Sequence, residues 1–276
     1  MIRIAHIINP VIVRESSDLY VAQPVTFKTM LMAKSFSKGY LQVDLYSAQF
    51  PEDRSLIPQG FISTPDLNRS ILDLKIFERN RKLPFINDIL DRLYNASIAD
   101  YFIYTNVDIS LVPYFYNAVG QIIEKGYDAF VINRRTVPKQ KFLSDNLSYL
   151  FACIGEKHPG FDCFIFKREY CLEFELGDAC IGAGKFGKIL TANLIKASKR
   201  FKIFKDLHLT FHLGDDQNWR AQGNSGYDIH NQVILERLLK KYKAQGMLNH
   251  PVQISFLSTI ERRKRLLYRL RKKLPF

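Results

Sequence analysis

Thr105-Asn106-Val107-Asp108 closes the apolar run Tyr101-Phe-Ile-Tyr, and its carboxylate is the group best placed for chemistry in this chain. Aromatic and β-branched residues in an unbroken run read as a buried strand, and the polar tetrapeptide reads as its end. A carboxylate at the carboxyl end of a central strand lies where open α/β sheets bind ligands. The plain alternative is a strand-to-helix turn, because Asn and Asp also cap helices. Two further groups stand at comparable positions. Asp162 ends the turn His158-Pro-Gly-Phe-Asp162 just before the apolar run Cys163-Phe-Ile-Phe166, and His212 follows the strand-like Leu207-His-Leu-Thr-Phe211. Asp162 also reads as an Asx-turn residue that only orders its loop, His158 as a loop hydrogen-bonder, and Asp215 and Asp216 as turn caps.

The elements that must position these groups follow from periodicity and punctuation. Strand patterns cover Ile2–Ile8, Leu41–Tyr46, Ile71–Phe77, Tyr101–Thr105 and Ala129–Ile132. A helix is expected from Pro24, a second from Pro84 through Phe85, Ile86, Ile89, Leu90 and Leu93, and a third from Pro113 through Tyr116, Val119, Ile122 and Ile123. Residues 50–69, rich in Pro, Gly, Ser and Asp, read as a long surface loop. The order β-α-β-β-α-β-α-β predicts an α/β fold with a mainly parallel central sheet flanked by helices. In the second half, helices are expected over 143–151, 185–197 and 228–245, with Phe201–Phe204 lying between the last two. Residues 1–257 form the predicted domain, and 258–276 a separate C-terminal helix.

At this point the chain resembles the GT-A-type glycosyltransferases, nucleotide-diphospho-sugar transferases with an acidic DxD motif at the end of a central strand. The likeness is carried by Lys82-Leu-Pro-Phe and Tyr101-Phe-Ile-Tyr-Thr-Asn-Val-Asp-Ile109, and it continues through His158-Pro-Gly-Phe-Asp-Cys-Phe-Ile-Phe166. It implies a GT-A-like single domain that moves a sugar from a nucleotide diphosphate donor to a hydroxyl acceptor. By the resemblance Asp108 is the ligand of Mn²⁺ or Mg²⁺, a hard cation that takes oxygen ligands and neutralises the leaving diphosphate. A late histidine, His212, is the second candidate metal ligand. Asn9, at the end of the first strand, falls where the family holds the nucleotide. The first acidic position of the motif is Asn106 here, which leaves one fewer negative charge and a side chain suited to a ribose hydroxyl or a metal-bound water.

Asp162 is the candidate base, since an inverting transfer needs a carboxylate to take the proton of the attacking hydroxyl. Among Arg81, Lys82, Arg134 and Arg135, Lys82 and Arg134 are the expected diphosphate partners. Gly182-Ala-Gly184-Lys-Phe-Gly187 spells GxGxxG, but no strand directly precedes it, so a dinucleotide fingerprint is excluded. Ala179 and Phe186 stand where a Walker loop needs Gly and Ser or Thr. Gly182 is expected instead in a glycine-rich turn that opens helix 185–197 and lines the sugar pocket.

The net charge of +13 is concentrated: Glu261–Lys273 carries eight Lys or Arg against one Glu, or +7 of the total. Phe256, Leu257, Ile260, Leu267, Leu270 and Leu274 can share one side of a helix there, the pattern of an interfacial segment on an anionic membrane. A solvated basic end is the plain alternative. Nucleic acid is not expected, because the cations do not spread over a groove with stacking aromatics. Cys153, Cys163, Cys171 and Cys180 have no CxxC spacing and read as free thiols of a reducing compartment. The first residues lack a signal-peptide core and no apolar run approaches the ~20 residues of a membrane span. These features predict a cytoplasmic protein, peripheral to the inner face of a membrane, whose acceptor is a glycan or a lipid-linked glycan. Two rivals remain: a sugar nucleotidyltransferase of related fold, disfavoured because Asn9-Pro10 replaces a Gly-rich loop, and a non-catalytic binding module, which Asn106 keeps open.

Overall fold

The computed structural model describes residues 1–74, 77, 80–137, 147–214 and 225–246. Its centre is a seven-stranded sheet made of β1 (Arg3–Ile8), β2 (Gln42–Ser47), β3 (Phe61–Ser63), β4 (Tyr101–Thr105), β6 (Ala129–Ile132), β9 (Cys163–Lys167) and β10 (Phe201–Phe204). The order is β10-β6-β9-β4-β1-β2-β3. Only β9 runs antiparallel to its neighbours β4 and β6; the other pairs are parallel. A smaller sheet, β5-β11-β7-β8, is built from β5 (Ile109–Leu111), β7 (Arg135–Val137), β8 (Glu156–Lys157) and β11 (Thr210–Leu213).

The central strands are apolar on both faces because helices cover both. Ala5, Ile7, Phe102 and Tyr104 pack with α2 (Ile86–Ala96), α5 (Phe186–Ala197) and α6 (Ser225–Ala244). The alternate residues Ile4, Ile8, Tyr101 and Ile103 pack with α1 (Asp18–Phe36) and α3 (Phe115–Glu124). A short α4 (Leu147–Ala152) adds Leu150 to that second core. The expected mixed α/β architecture with a mainly parallel central sheet is the one observed. Among the described residues no helix is long and apolar enough to cross a membrane.

Several boundaries differ from expectation. The first helix starts at Asp18, not Pro24: the Ser17 hydroxyl accepts from the Leu19 amide and supplies the start signal, so Pro24 lies inside the helix. The expected strand 71–77 is absent over the described residues 71–74, and 75 and 76 lie outside the described residues. Ser70 and Asp73 form a capping box, Asp73 accepting from the Ser70 amide at 2.6 Å, and this turns Ile71–Asp73 into a 3-10 helix. The long loop 50–69 contains a 3-10 helix, Pro51–Leu56, and β3, which adds to the sheet edge. The third helix begins after β5, which the spacing did not reveal. Residues 143–146 of the expected fourth helix and all of 258–276 lie outside the described residues.

One buried group makes the fold sensitive to acid. His6 on β1 is fully buried, with Nδ1 2.8 Å from the Tyr116 hydroxyl and Nε2 2.9 Å from Thr105 Oγ1. Burial disfavours the imidazolium and lowers its pKa from 6.5 to about 3. Between those values the unfolded chain binds a proton that the folded chain refuses, so stability is present above pH 6.5 and falls as pH drops. The expected loss from this residue at pH 5 is about 2 kcal/mol. Urea midpoints at pH 7 and pH 5 should converge in His6→Gln relative to the parent; an equal drop in both proteins would contradict this.

Candidate functional site

Strand register brings the site together at the carboxyl end of the sheet. β9 lies antiparallel between β4 and β6, and Cys163 is the register partner of both Thr105 and Ile132. The residue before Cys163 therefore falls beside the residues just past Thr105 and Ile132. Asp162 accepts there from Asn106 Nδ2 at 3.1 Å on one oxygen and from Arg134 Nη1 on the other. Asn106 is itself oriented by the Tyr104 hydroxyl, which donates to its Oδ1 at 3.1 Å. The Arg134–Asp162 ion pair is buried, with 8% and 10% of the side-chain surfaces exposed. Gly187 lets α5 close against this loop, since a Cβ there would stand 2.6 Å from the Phe161 carbonyl oxygen.

The second half of the site comes from the small sheet. β11 pairs antiparallel with β5, setting His212 opposite Ile109 and next to Asp108. His212 Nε2 lies 3.2 Å from Asp108 Oδ2. Burial pushes the Asp108 carboxyl up, but the His212 imidazole and the Arg134 guanidinium outweigh it and hold the group below the usual carboxylate range. Asp108 is thus a carboxylate at neutral pH, with 21% of its side-chain surface exposed. Its Oδ1 is buried and has no hydrogen-bond partner among the described residues. A buried carboxylate oxygen left unpaired costs about 1–3 kcal/mol or more, and a strand-end carboxylate that bears this cost is a candidate to meet a ligand.

That donor set fits a divalent cation completed by its ligand. For metal bonds of about 2.1 Å at right angles, adjacent ligand atoms stand about 3 Å apart. The Asp108–His212 separation of 3.2 Å meets this with little adjustment. No group of three His, Cys, Asp or Glu able to hold a metal occurs among the described residues. A cation held by one or two protein groups and substrate phosphates, with water filling its remaining positions, is how Mg²⁺ is commonly bound.

The other predicted residues stand elsewhere. Lys82 Nζ is 2.5 Å from Glu52 Oε1 and 4.0 Å from the Phe50 ring centre, in an exposed pair beside the 3-10 helix 51–56. Asn9 is buried and donates from Nδ2 to the Ala48 carbonyl at 2.7 Å, which ties the end of β1 to the end of β2. Gly182 has φ +72 and accepts from Arg81 Nη1 at 3.4 Å, so its glycine is required by the turn itself. Arg135 is tied to Asp206 and to the Ile154 and Gly155 carbonyls. Asp215 and Asp216 lie outside the described residues. The structure therefore gathers two hydrogen-bonded groups, Asn106–Asp162–Arg134 and Asp108–His212, with the Arg134 charge acting on Asp108, and leaves Asn9, Lys82 and Gly182 outside both.

Tyr104 is the member the sequence reading missed. The period of two along β4 puts it on the same side as Asn106, a signal that could have found it. An open hollow of about 420 Å³ lies beyond β2 and β3, lined by Gln49, Arg54, Phe61, Thr64 and Asp66 among others. None of the clustered residues lines it, and its Arg54 and Gln49 side chains both donate to Asp66.

No family model matches the sequence, and the search of curated proteins found no match. In three dimensions the chain is similar to S. aureus TarS 1-349 in complex with UDP-GlcNAc, at 8% identity over 88% of this chain and 73% of that one, with a TM-score of 0.48. The same protein in complex with UDP gives 9% identity, 88% and 72% coverage and a TM-score of 0.46. Its structure described without a ligand gives 11%, 90% and 74%, and 0.46.

Proposed function

We propose that the protein is a glycosyltransferase that moves a sugar from a nucleotide diphosphate donor to a hydroxyl acceptor. The observation that carries this reading is the buried Oδ1 of an ionised Asp108, unpaired among the described residues, beside His212 at the end of the central strand. Asp108 and His212 hold Mn²⁺ or Mg²⁺, which when bound supplies positive charge for the leaving diphosphate. Arg134 adds a guanidinium whose fork matches two phosphate oxygens, and Lys82 adds a further positive charge that attracts the anion. Asn106 meets the donor by its amide, Asn9 and the end of β1 flank the nucleotide, and the Gly182 turn borders the sugar. Asp162 takes the acceptor's proton.

The nucleotidyltransferase alternative is weakened by the backbone after β1. Val11 N–H donates to Gln23 Oε1 and Ile12 N–H to Asp53 Oδ1, at 2.9 and 2.7 Å. Those amides are already committed and cannot cradle a phosphate.

The acceptor in this reading is a glycan or lipid-linked glycan at the cytoplasmic face of a membrane, approached through the basic segment 258–276. Each cation near an anionic surface contributes ~1 kcal/mol. Deleting 259–276 should release the protein from anionic liposomes in a sedimentation assay without lowering activity on a soluble acceptor. Unchanged liposome binding would remove the anchor from the proposal. The reaction itself is tested by incubating the protein with UDP-, GDP- and CMP-sugars, with Mn²⁺ or with a chelator, and measuring nucleotide release. Release from one donor, dependent on the cation, is expected; none from any donor rejects the transferase.

A further inference from the structure

Asp162 has a place in the site but no oxygen to spare: Asn106 donates to one and Arg134 to the other. The same holds in reverse for Arg134, whose Nη1 is spent on Asp162 although the guanidinium lies near enough to Asp108 to help hold that carboxyl below its usual range. We propose that Arg134 is exchanged between two anions, held by Asp162 in the empty protein and passed to the diphosphate when the donor binds. Asp162 then competes with the donor for Arg134 and becomes available to the acceptor only after the donor has won. This deepens the transferase reading and rests on it.

Three features favour an exchange over a fixed structural pair. The pair is buried, and a buried ion pair returns little net stability, because desolvating both charges offsets most of their attraction. A diphosphate carries more charge than a carboxylate and offers a guanidinium two parallel bonds, so it is the stronger of the two partners. Finally, Asp162 keeps one partner when Arg134 leaves, the Asn106 amide fixed by Tyr104 and donating to Oδ1, and the diphosphate's bonds to the guanidinium offset the rest of the lost pair.

The exchange also accounts for an amide at position 106. An aspartate there would set a second carboxylate about 3 Å from Asp162, and like charges that close force one to stay protonated. Asn106 instead presents a neutral amide that donates to Asp162. With Arg134 on the phosphates, Oδ2 of Asp162 accepts the proton of the acceptor hydroxyl as its oxygen bonds to the anomeric carbon. The bond from that carbon to the phosphate oxygen breaks, and its electron pair leaves with the nucleoside diphosphate. The order follows: donor first, acceptor second.

Calorimetric titration of UDP and of GDP, with Mn²⁺ present, tests this in the full chain. Asp162→Asn removes the competing charge, so it should bind the nucleotide about tenfold more tightly while losing turnover by two orders of magnitude or more. In Arg134→Met/Asp162→Asn the gain should vanish, because there is no guanidinium left to share. A merely structural Asp162 predicts weaker binding and weaker turnover together. Equal or weaker binding by a folded Asp162→Asn overturns the exchange. Should that variant fail to fold, the wild-type protein decides: the Arg134 side-chain ¹⁵N resonance, assigned with Arg134→Lys, must shift on nucleotide addition, and a resonance that stays put overturns it equally. Wild-type protein that binds neither nucleotide sinks the transferase reading itself, a different result.

Discussion

Asp108→Ala is expected to lower donor-dependent turnover by about 10³-fold or more, with the fold intact. Removing one group that stabilises developing charge typically costs 10²–10³, and Asp108 in this account also holds the cation. The stability side is argued from its bonds. The side chain gives up one interaction with His212, worth about 1 kcal/mol, and takes with it a buried oxygen that nothing among the described residues satisfies. Those two terms nearly cancel, so the thermal midpoint should stay within a few degrees. Unfolding of the variant, or turnover that persists, would show that the carboxylate serves the core and not a ligand.

Arg134→Met carries the largest expected effect on stability. With only 8% and 10% of the two side chains exposed, deleting the guanidinium strands a buried carboxylate on the Asn106 amide alone. Breaking a buried pair from one side costs about 3–5 kcal/mol, whereas replacing both partners by apolar residues of similar volume is often close to neutral. Urea unfolding should therefore place Arg134→Met well below the parent and Arg134→Met/Asp162→Leu much nearer to it. Neither variant should turn over the donor. If the double variant is as unstable as the single, the pair supports the fold in some way other than mutual charge compensation. The contrast separates the two carboxylates: Asp108 is dispensable to the fold, while Asp162 is dispensable only together with its partner.

The strands that carry the site could be read from residue types alone. Tyr101–Thr105 and Ala129–Ile132 are unbroken apolar runs with polar ends, and both strands occupy those residues. The position of Asp108 at a strand end needed nothing more than that run. What could not be read was how distant segments meet. Asn106, Arg134 and Asp162 come together because β9 inserts antiparallel between β4 and β6, and strand order is a property of tertiary packing. The Asp108–His212 contact likewise depends on a three-residue strand, β5, too short to leave a periodic signal. Lys82 and Asn9 were chosen for their charge and position, but local partners absorbed them: Glu52 and Phe50 in one case, the Ala48 carbonyl in the other. At the start of the expected strand, Ile71–Asp73, side-chain capping wins over alternation, for Ser70 and Asp73 satisfy the backbone amides that a strand would have offered to a neighbour.

Whether Asp108 serves a cation and a diphosphate is decided most directly by one titration. UDP-, GDP- and CMP-sugars are titrated calorimetrically into the wild-type protein and into Asp108→Ala, each with Mn²⁺ and with a chelator. Binding of one donor that requires Mn²⁺ and disappears in Asp108→Ala is the predicted result. Silence with every donor, or binding indifferent to both the cation and the substitution, would contradict it and favour a non-catalytic module.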